Sequence, residues 1–80
     1  MSILKNKKGE VFMNYIDIGN NVRNKRTEFG WSEWDLAIKT GLITRIIKNI
    51  ENGKRCSKAT LHSISDALGC NLEELIGDNG

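Results

Sequence analysis

Proline is absent from this 80-residue chain, histidine occurs once, cysteine twice, and the aromatic residues are two Trp, two Phe and one Tyr. Each scarcity excludes something. Without proline, glycine is left as the main punctuation of the chain. His62 has no cysteine close by, and Cys56 and Cys70 form no Cys-x-x-Cys pair. The zinc-finger spacings are therefore missing, and no metal or cofactor is expected. Two free thiols fit a reducing cytoplasm. No apolar run approaches the roughly 18 residues of a membrane span. The N-terminus also lacks the apolar stretch of a signal peptide. There is no carboxylate cluster, nucleophile motif or glycine-rich phosphate loop, so no enzymatic activity is expected. The length allows one domain.

What is present is charge, unevenly placed. The net charge is only +2. Between positions 39 and 58, however, stand six bases (Lys39, Arg45, Lys48, Lys54, Arg55, Lys58) against one acid, Glu51. From 59 to 80 stand four acids (Asp66, Glu73, Glu74, Asp78) and no Lys or Arg. A basic middle beside an acidic end suits a protein that offers one face to a polyanion, although ordinary surface charge produces the same pattern.

Residues 1–13 separate from the rest. Ser2-Ile3-Leu4 and Glu10-Val11-Phe12-Met13 flank the basic Lys5-Asn6-Lys7-Lys8-Gly9, as in a short hairpin or a flexible arm. Residues 14–77 carry helical signals. A first helix is predicted over Tyr15 to Glu28, with Asn14 as N-cap, Asp17 as its reciprocal partner, and Ile18 and Val22 on one face. A second runs from Glu33 to Thr40, capped by Ser32 with Asp35 completing a capping box, with Leu36 and Ala37 inward and Gly41 as stop. A third runs from Thr44 to Asn52 and ends at Gly53. A fourth spans Lys58 to Leu68, between Ser57 and Gly69, with Leu61, Ile64 and Leu68 as its stripe. Asn71 starts a last short helix, with Glu74 as box partner and Leu72, Leu75 and Ile76 in the core. The expected fold is a compact all-α bundle of five short helices.

Helices two and three, joined by a tight turn at Gly41, have the helix-turn-helix layout. On a wheel of about 100° per residue, with Ile43 at zero, Ile47 falls near 40°, Ile50 near 340° and Ile46 near 300°. The four isoleucines form an anchor, and Thr44, Arg45, Lys48, Asn49 and Asn52 lie opposite. A solvated surface helix would look similar, but nothing in that reading explains why the polar face has no acid. Arg donates twice to guanine, and Asn pairs bidentately with adenine. In the segment that follows, Lys54, Arg55, Ser57 and Lys58 read as a phosphate clamp or as a solvated loop.

The order of these pieces resembles the Cro and phage-repressor type of helix-turn-helix domain, also called XRE-like. The matching pieces are Ile18-Gly19, Val22-x-x-x-Arg26, Gly30-x-Ser32, Leu36-Ala37 and Gly41-Leu42, then Ile47, Ile50-Glu51-Asn52-Gly53-Lys54, Ala67-Leu68-Gly69 and Leu72-Glu73-Glu74-Leu75. The resemblance implies a lambda-repressor-like bundle with helix three in the major groove. It implies base contacts from Thr44, Arg45 and Asn49, with Lys48 as a further candidate. Phosphate contacts are implied from Ser32 and from Asn52 to Lys54. It further implies a structural ion pair between Arg26 and Glu51. The chain departs from the family pattern at Glu33, Trp34, Ile43, Ile46 and Lys58. Ile46 is a candidate for a thymine methyl, and Trp34 for packing over Lys39 or a partner chain.

These features point to a sequence-specific regulator of transcription that binds double-stranded DNA, with a repressor role and a homodimer expected. A two-fold pair on a palindrome multiplies the affinity of a domain that reads few base pairs. Phe29, Trp31, the last helix and the N-terminal segment are the candidate dimer surfaces. The alternative is a protein-interaction module on the same scaffold, antirepressor-like or antitoxin-like, motivated by Glu33, Trp34, Ile43 and Ile46.

Overall fold

A computed structural model describes residues 14–77; the hairpin or arm expected over 1–13 lies outside the described residues. Among the described residues the chain forms five helices and no strand: α1 (Tyr15–Glu28), α2 (Glu33–Thr40), α3 (Thr44–Glu51), α4 (Lys58–Leu68) and α5 (Leu72–Ile76). Local chemistry accounts for most of the boundaries. Ser32 Oγ accepts from the Asp35 N–H, and the Asp35 carboxylate accepts from the Ser32 N–H, closing both ends of a capping box. Ser57 Oγ accepts from the Thr60 N–H at the start of α4. At the start of α5, the Glu74 carboxylate accepts from the Asn71 N–H at 3.3 Å. Gly41 ends α2 in the left-handed region at φ 77°, where a side chain would be strained.

Two sequence expectations shift at helix ends. Asn14 caps α1 through bonds from the Ile16 and Asp17 N–H groups, but Asp17 gives no bond back, so that cap is one-sided. Helix α3 ends at Glu51, with Asn52 as its C-cap.

The core is the set of apolar stripes turned inward: Ile18 and Val22 from α1, Leu36 and Ala37 from α2, Ile47 and Ile50 from α3. Leu61, Ile64 and Leu68 from α4 and Leu75 from α5 complete it. Leu72 and Ile76 are only partly buried against it. The Asn21 amide ties α5 to α1 by donating to the Leu75 carbonyl at 2.8 Å. The Lys25 ammonium and Glu74 carboxylate, 3.2 Å apart, join the same two helices.

Helix α3 owes its seat to a glycine. A Cβ on Gly19 would lie 2.3 Å from the Ile50 carbonyl oxygen and 3.0 Å from that of Glu51. Only a residue without a side chain lets the backbones of α1 and α3 approach so closely.

Candidate nucleic-acid interface

The turn between α2 and α3 is tied from several sides. The Gly41 and Leu42 N–H groups both donate to the Ala37 carbonyl, at 2.9 and 3.1 Å. The Thr40 hydroxyl accepts from the Leu42 N–H and donates to the Leu36 carbonyl. Ala37 is buried, and α2 packs against α3. The two helices thus hold one angle, and the outward face of α3 is fixed relative to α2.

On α3 the inward residues are Ile47, Ile50 and Glu51. Arg45, Lys48 and Asn52 are exposed, and Thr44 and Asn49 are half-buried. These five polar side chains therefore share the side away from the core. The isoleucine anchor is smaller than the wheel suggests. Ile47 and Ile50 are buried and Ile46 packs partly against the core, but Ile43 is 62% exposed. Ile43 is the N-cap of α3 with extended backbone (φ −86°, ψ 154°), so its side chain leaves the helical progression on which the wheel relies.

As N-cap, Ile43 has no side-chain acceptor to offer, and the first turn of α3 holds no acid. The positive end of this helix is open beside Thr44 and Arg45. The start of α2 differs. It carries Glu33 and Asp35 and uses the Ser32 N–H in its own cap.

Glu51, the one acid between positions 39 and 58, is 4% exposed. Arg26 meets its carboxylate with two hydrogen bonds, Nε to Oε2 at 2.7 Å and a terminal nitrogen to Oε1 at 2.8 Å, in the bidentate fork. The hydrogen bond to Glu51 raises the Arg26 pKa. A third nitrogen of Arg26 donates to the Trp31 carbonyl at 2.8 Å. Arg23 joins the cluster, its Nε 3.5 Å from the same carboxylate and a terminal nitrogen 3.2 Å from the Glu51 carbonyl. Arg23 was not foreseen from the sequence. Its position one turn before Arg26 is the only signal that could have suggested it. With Glu51 withdrawn, the surface of residues 39–58 displays bases and no acid.

The predicted phosphate residues Ser32, Asn52, Lys54, Arg55, Ser57 and Lys58 are all exposed. In the segment after α3, the backbone N–H groups of Asn52, Gly53 and Lys54 are used on carbonyls of α3. Contacts from Asn52, Gly53 and Lys54 therefore fall to side chains. The Ser57 hydroxyl already donates to Thr60 Oγ1 at 2.9 Å. Among the described residues no ion pair involves Arg45, Lys54, Arg55 or Lys58, whereas Lys48 Nζ lies 3.3 Å from Glu33 Oε1.

Two further residues are arranged differently from expectation. Lys39 lies over the ring of Trp31, 4.7 Å from its centroid, not over Trp34. Trp31 in turn stacks on Phe29 at 4.3 Å, so its rigid flat face is already shared by two partners. Trp34 is left 62% exposed. His62 is on the exposed side of α4, and burial pushes the thiols of Cys56 and Cys70 up. Among the described residues no helix is long and apolar enough to cross a membrane. No group of three or more His, Cys, Asp or Glu there could hold a metal.

Residues 22–80 match the family described as the Cro/C1-type HTH DNA-binding domain. Solved structures share the fold. The restriction-modification controller protein C.AhdI from Aeromonas hydrophila is 27% identical with a TM-score of 0.73, over 76% of this chain and 94% of that one. SinR, the master regulator for biofilm formation, solved in complex with DNA, is 28% identical with a TM-score of 0.69, over 72% of this chain and 95% of that one. The clp gene regulator ClgR from Corynebacterium glutamicum, 24% identical with a TM-score of 0.71 over 76% of this chain and 66% of that one, is alike in fold.

Proposed function

The chain belongs to the Cro/C1-type helix-turn-helix DNA-binding domain family, and on that premise we propose that it is a sequence-specific regulator of transcription, acting in the cytoplasm as a homodimeric repressor. Residues 14–77 are the DNA-reading unit in this proposal. Helix α3 enters the major groove, Thr44, Arg45 and Asn49 meet base edges, and Lys48 stands beside them. Ser32, Asn52, Lys54, Arg55, Ser57 and Lys58 serve the phosphates, which fix position without reading sequence.

The observation that carries this reading is the outward face of α3. It is polar and basic, it has no acid of its own, and its helix starts uncapped. Solubility alone gives no reason for that combination. A DNA groove does, because Arg and Asn match the edges of guanine and adenine there and the phosphates attract positive charge. C.AhdI, a controller protein, and SinR, solved with DNA, support the regulatory role by likeness.

The test is an anisotropy titration on duplex DNA across a salt series, followed by selection of bound sequences from a random pool. Affinity should fall steeply with salt, with a slope reporting several phosphate contacts. Arg45→Ala should weaken binding to the selected sequence by about 1–3 kcal/mol and leave thermal unfolding unchanged. An Arg45→Ala variant that binds as tightly as wild type would overturn the placement of α3. A second reading, a protein-interaction module, is favoured by one observation: Trp34, Ile38 and Ile43 are large apolar side chains left exposed. Absence of DNA binding even at low salt would select it.

A further inference from the structure

Lys48 differs from its basic neighbours. It lies three residues after Arg45 and four before Asn52, in the middle of the outward face of α3. Yet its ammonium is held 3.3 Å from the Glu33 carboxylate, while among the described residues no ion pair involves Arg45, Lys54, Arg55 or Lys58. Glu33 is placed for this. It is the first residue of α2, three before buried Leu36 and four before buried Ala37, so it shares their face and turns toward α3. Its carboxylate sits at the mouth of the helix-turn-helix and presents negative oxygens to Lys48, as a phosphate would.

We propose that Glu33 is a specificity-determining residue: it occupies Lys48 in place of a backbone phosphate and so holds down the affinity of this face for duplex DNA of arbitrary sequence. This rests on the DNA-binding reading above. The reason is that attraction to phosphate is the same at every sequence, whereas hydrogen bonds to base edges are not. An internal carboxylate that neutralises one lysine and repels an approaching phosphate lowers the first kind of binding and leaves the second to Thr44, Arg45 and Asn49. The balance tips toward the bases.

The probe is a random-sequence duplex, titrated by anisotropy over a salt series. Glu33→Gln keeps the shape of the side chain and removes its charge. It should tighten binding to this probe by about fivefold to tenfold at low salt and steepen the log–log salt slope by about one contact. Lys48→Met breaks the same ion pair without releasing a lysine, and should not tighten binding. The double variant should return close to wild type, because it removes both charges together. Circular dichroism melts confirm that all three variants remain folded. If Glu33→Gln leaves affinity and slope at wild-type values while wild type binds, the pair is only a strut between α2 and α3 and the proposal falls. If both single variants tighten binding alike, loosening of the turn is the cause, which also overturns it. If no protein, wild type included, binds the duplex at low salt, the DNA-binding reading itself fails and this inference fails with it.

Discussion

Glu51 shows how much depends on a single side chain. In the sequence it interrupts a basic stretch, and a count of charges enters it against the affinity of that stretch for a polyanion. In the fold it is buried under the forked guanidinium of Arg26 and the nearby Arg23, so it subtracts nothing from the surface. The pair is a joint between α1 and α3. Breaking such a joint from one side strands the other charge, and the loss exceeds what the pair itself contributes. Glu51→Ala should therefore lower stability by about 3–5 kcal/mol, read from the midpoint of urea unfolding. Stability of about 0.05–0.15 kcal/mol per residue is usual for a domain, so this single change should remove a large share of the stability of an 80-residue chain. A loss of under about 1 kcal/mol, as for an exposed pair, would show that the joint matters little.

Between elements, the contact that positions the outward face of α3 is the crossing of α1 and α3 at Gly19. Alanine is a better helix former than glycine by about 1 kcal/mol, so on propensity alone Gly19→Ala should stabilise α1. The crossing predicts the opposite sign. The new Cβ would meet the Ile50 carbonyl oxygen at 2.3 Å, and that oxygen belongs to a helix backbone that cannot rotate away. Helix α3 must move, at a net cost of about 1–3 kcal/mol, and its outward face moves with it. Thermal unfolding and DNA titration of Gly19→Ala should fall together, whereas Arg45→Ala should affect binding alone. The N-termini of α2 and α3 form a second contrast at this scale. Helix α2 closes its first turn with Ser32 and Asp35, and α3 has no side-chain cap on its first turn. Ile43 belongs to that contrast. The Ile43 carbonyl accepts from the Ile46 N–H at 3.0 Å, but its apolar side chain offers no acceptor and, with the capping residue outside the helical dihedrals, does not stay in the core.

For the molecule as a whole, charge is uneven along the second half of the chain: positions 39–58 hold six bases against one acid, and positions 59–80 hold four acids and no Lys or Arg. Acid should act on the whole fold through two carboxylates, half-buried Asp35 and exposed Glu74. Hydrogen bonds from the Ser32 backbone and hydroxyl hold the Asp35 carboxyl below its ordinary 3.8. A bond from the Asn71 backbone, then one from Lys25, holds Glu74 below 4.5. For a carboxylate whose folded value is depressed, the contribution to stability is complete above the ordinary value and is lost as pH falls through the folded one. Urea midpoints should thus be level in this respect above pH 4.5 and decline as the pH drops through 3.8 and below. Asp35→Asn and Glu74→Gln should each lower the stability plateau and flatten the decline. An unchanged profile in both variants would exclude these caps as the acid-sensitive groups.

The helices and most of their limits are legible in the amino-acid sequence, because the signals act within a turn of the chain. Ser32 with Asp35, Ser57 with Thr60, and glycine at 41 and 69 each do their work over four residues or fewer. The core stripes are legible there as well, since a period near 3.6 is local too. The order of the motifs was enough to resemble a family and so to pair Arg26 with Glu51. Other features depend on how rigid helices sit against one another. The crossing at Gly19, the arrival of Arg23 at Glu51, Lys39 over Trp31, the exposure of Ile43 and the capture of Lys48 by Glu33 are of this kind. Each joins or separates groups whose distance is set by helix placement, which no local pattern encodes. The helix-turn-helix of α2 and α3 keeps the layout its residues predict, and its outward face is basic because Glu51 is buried, while one of its bases, Lys48, is already held by Glu33.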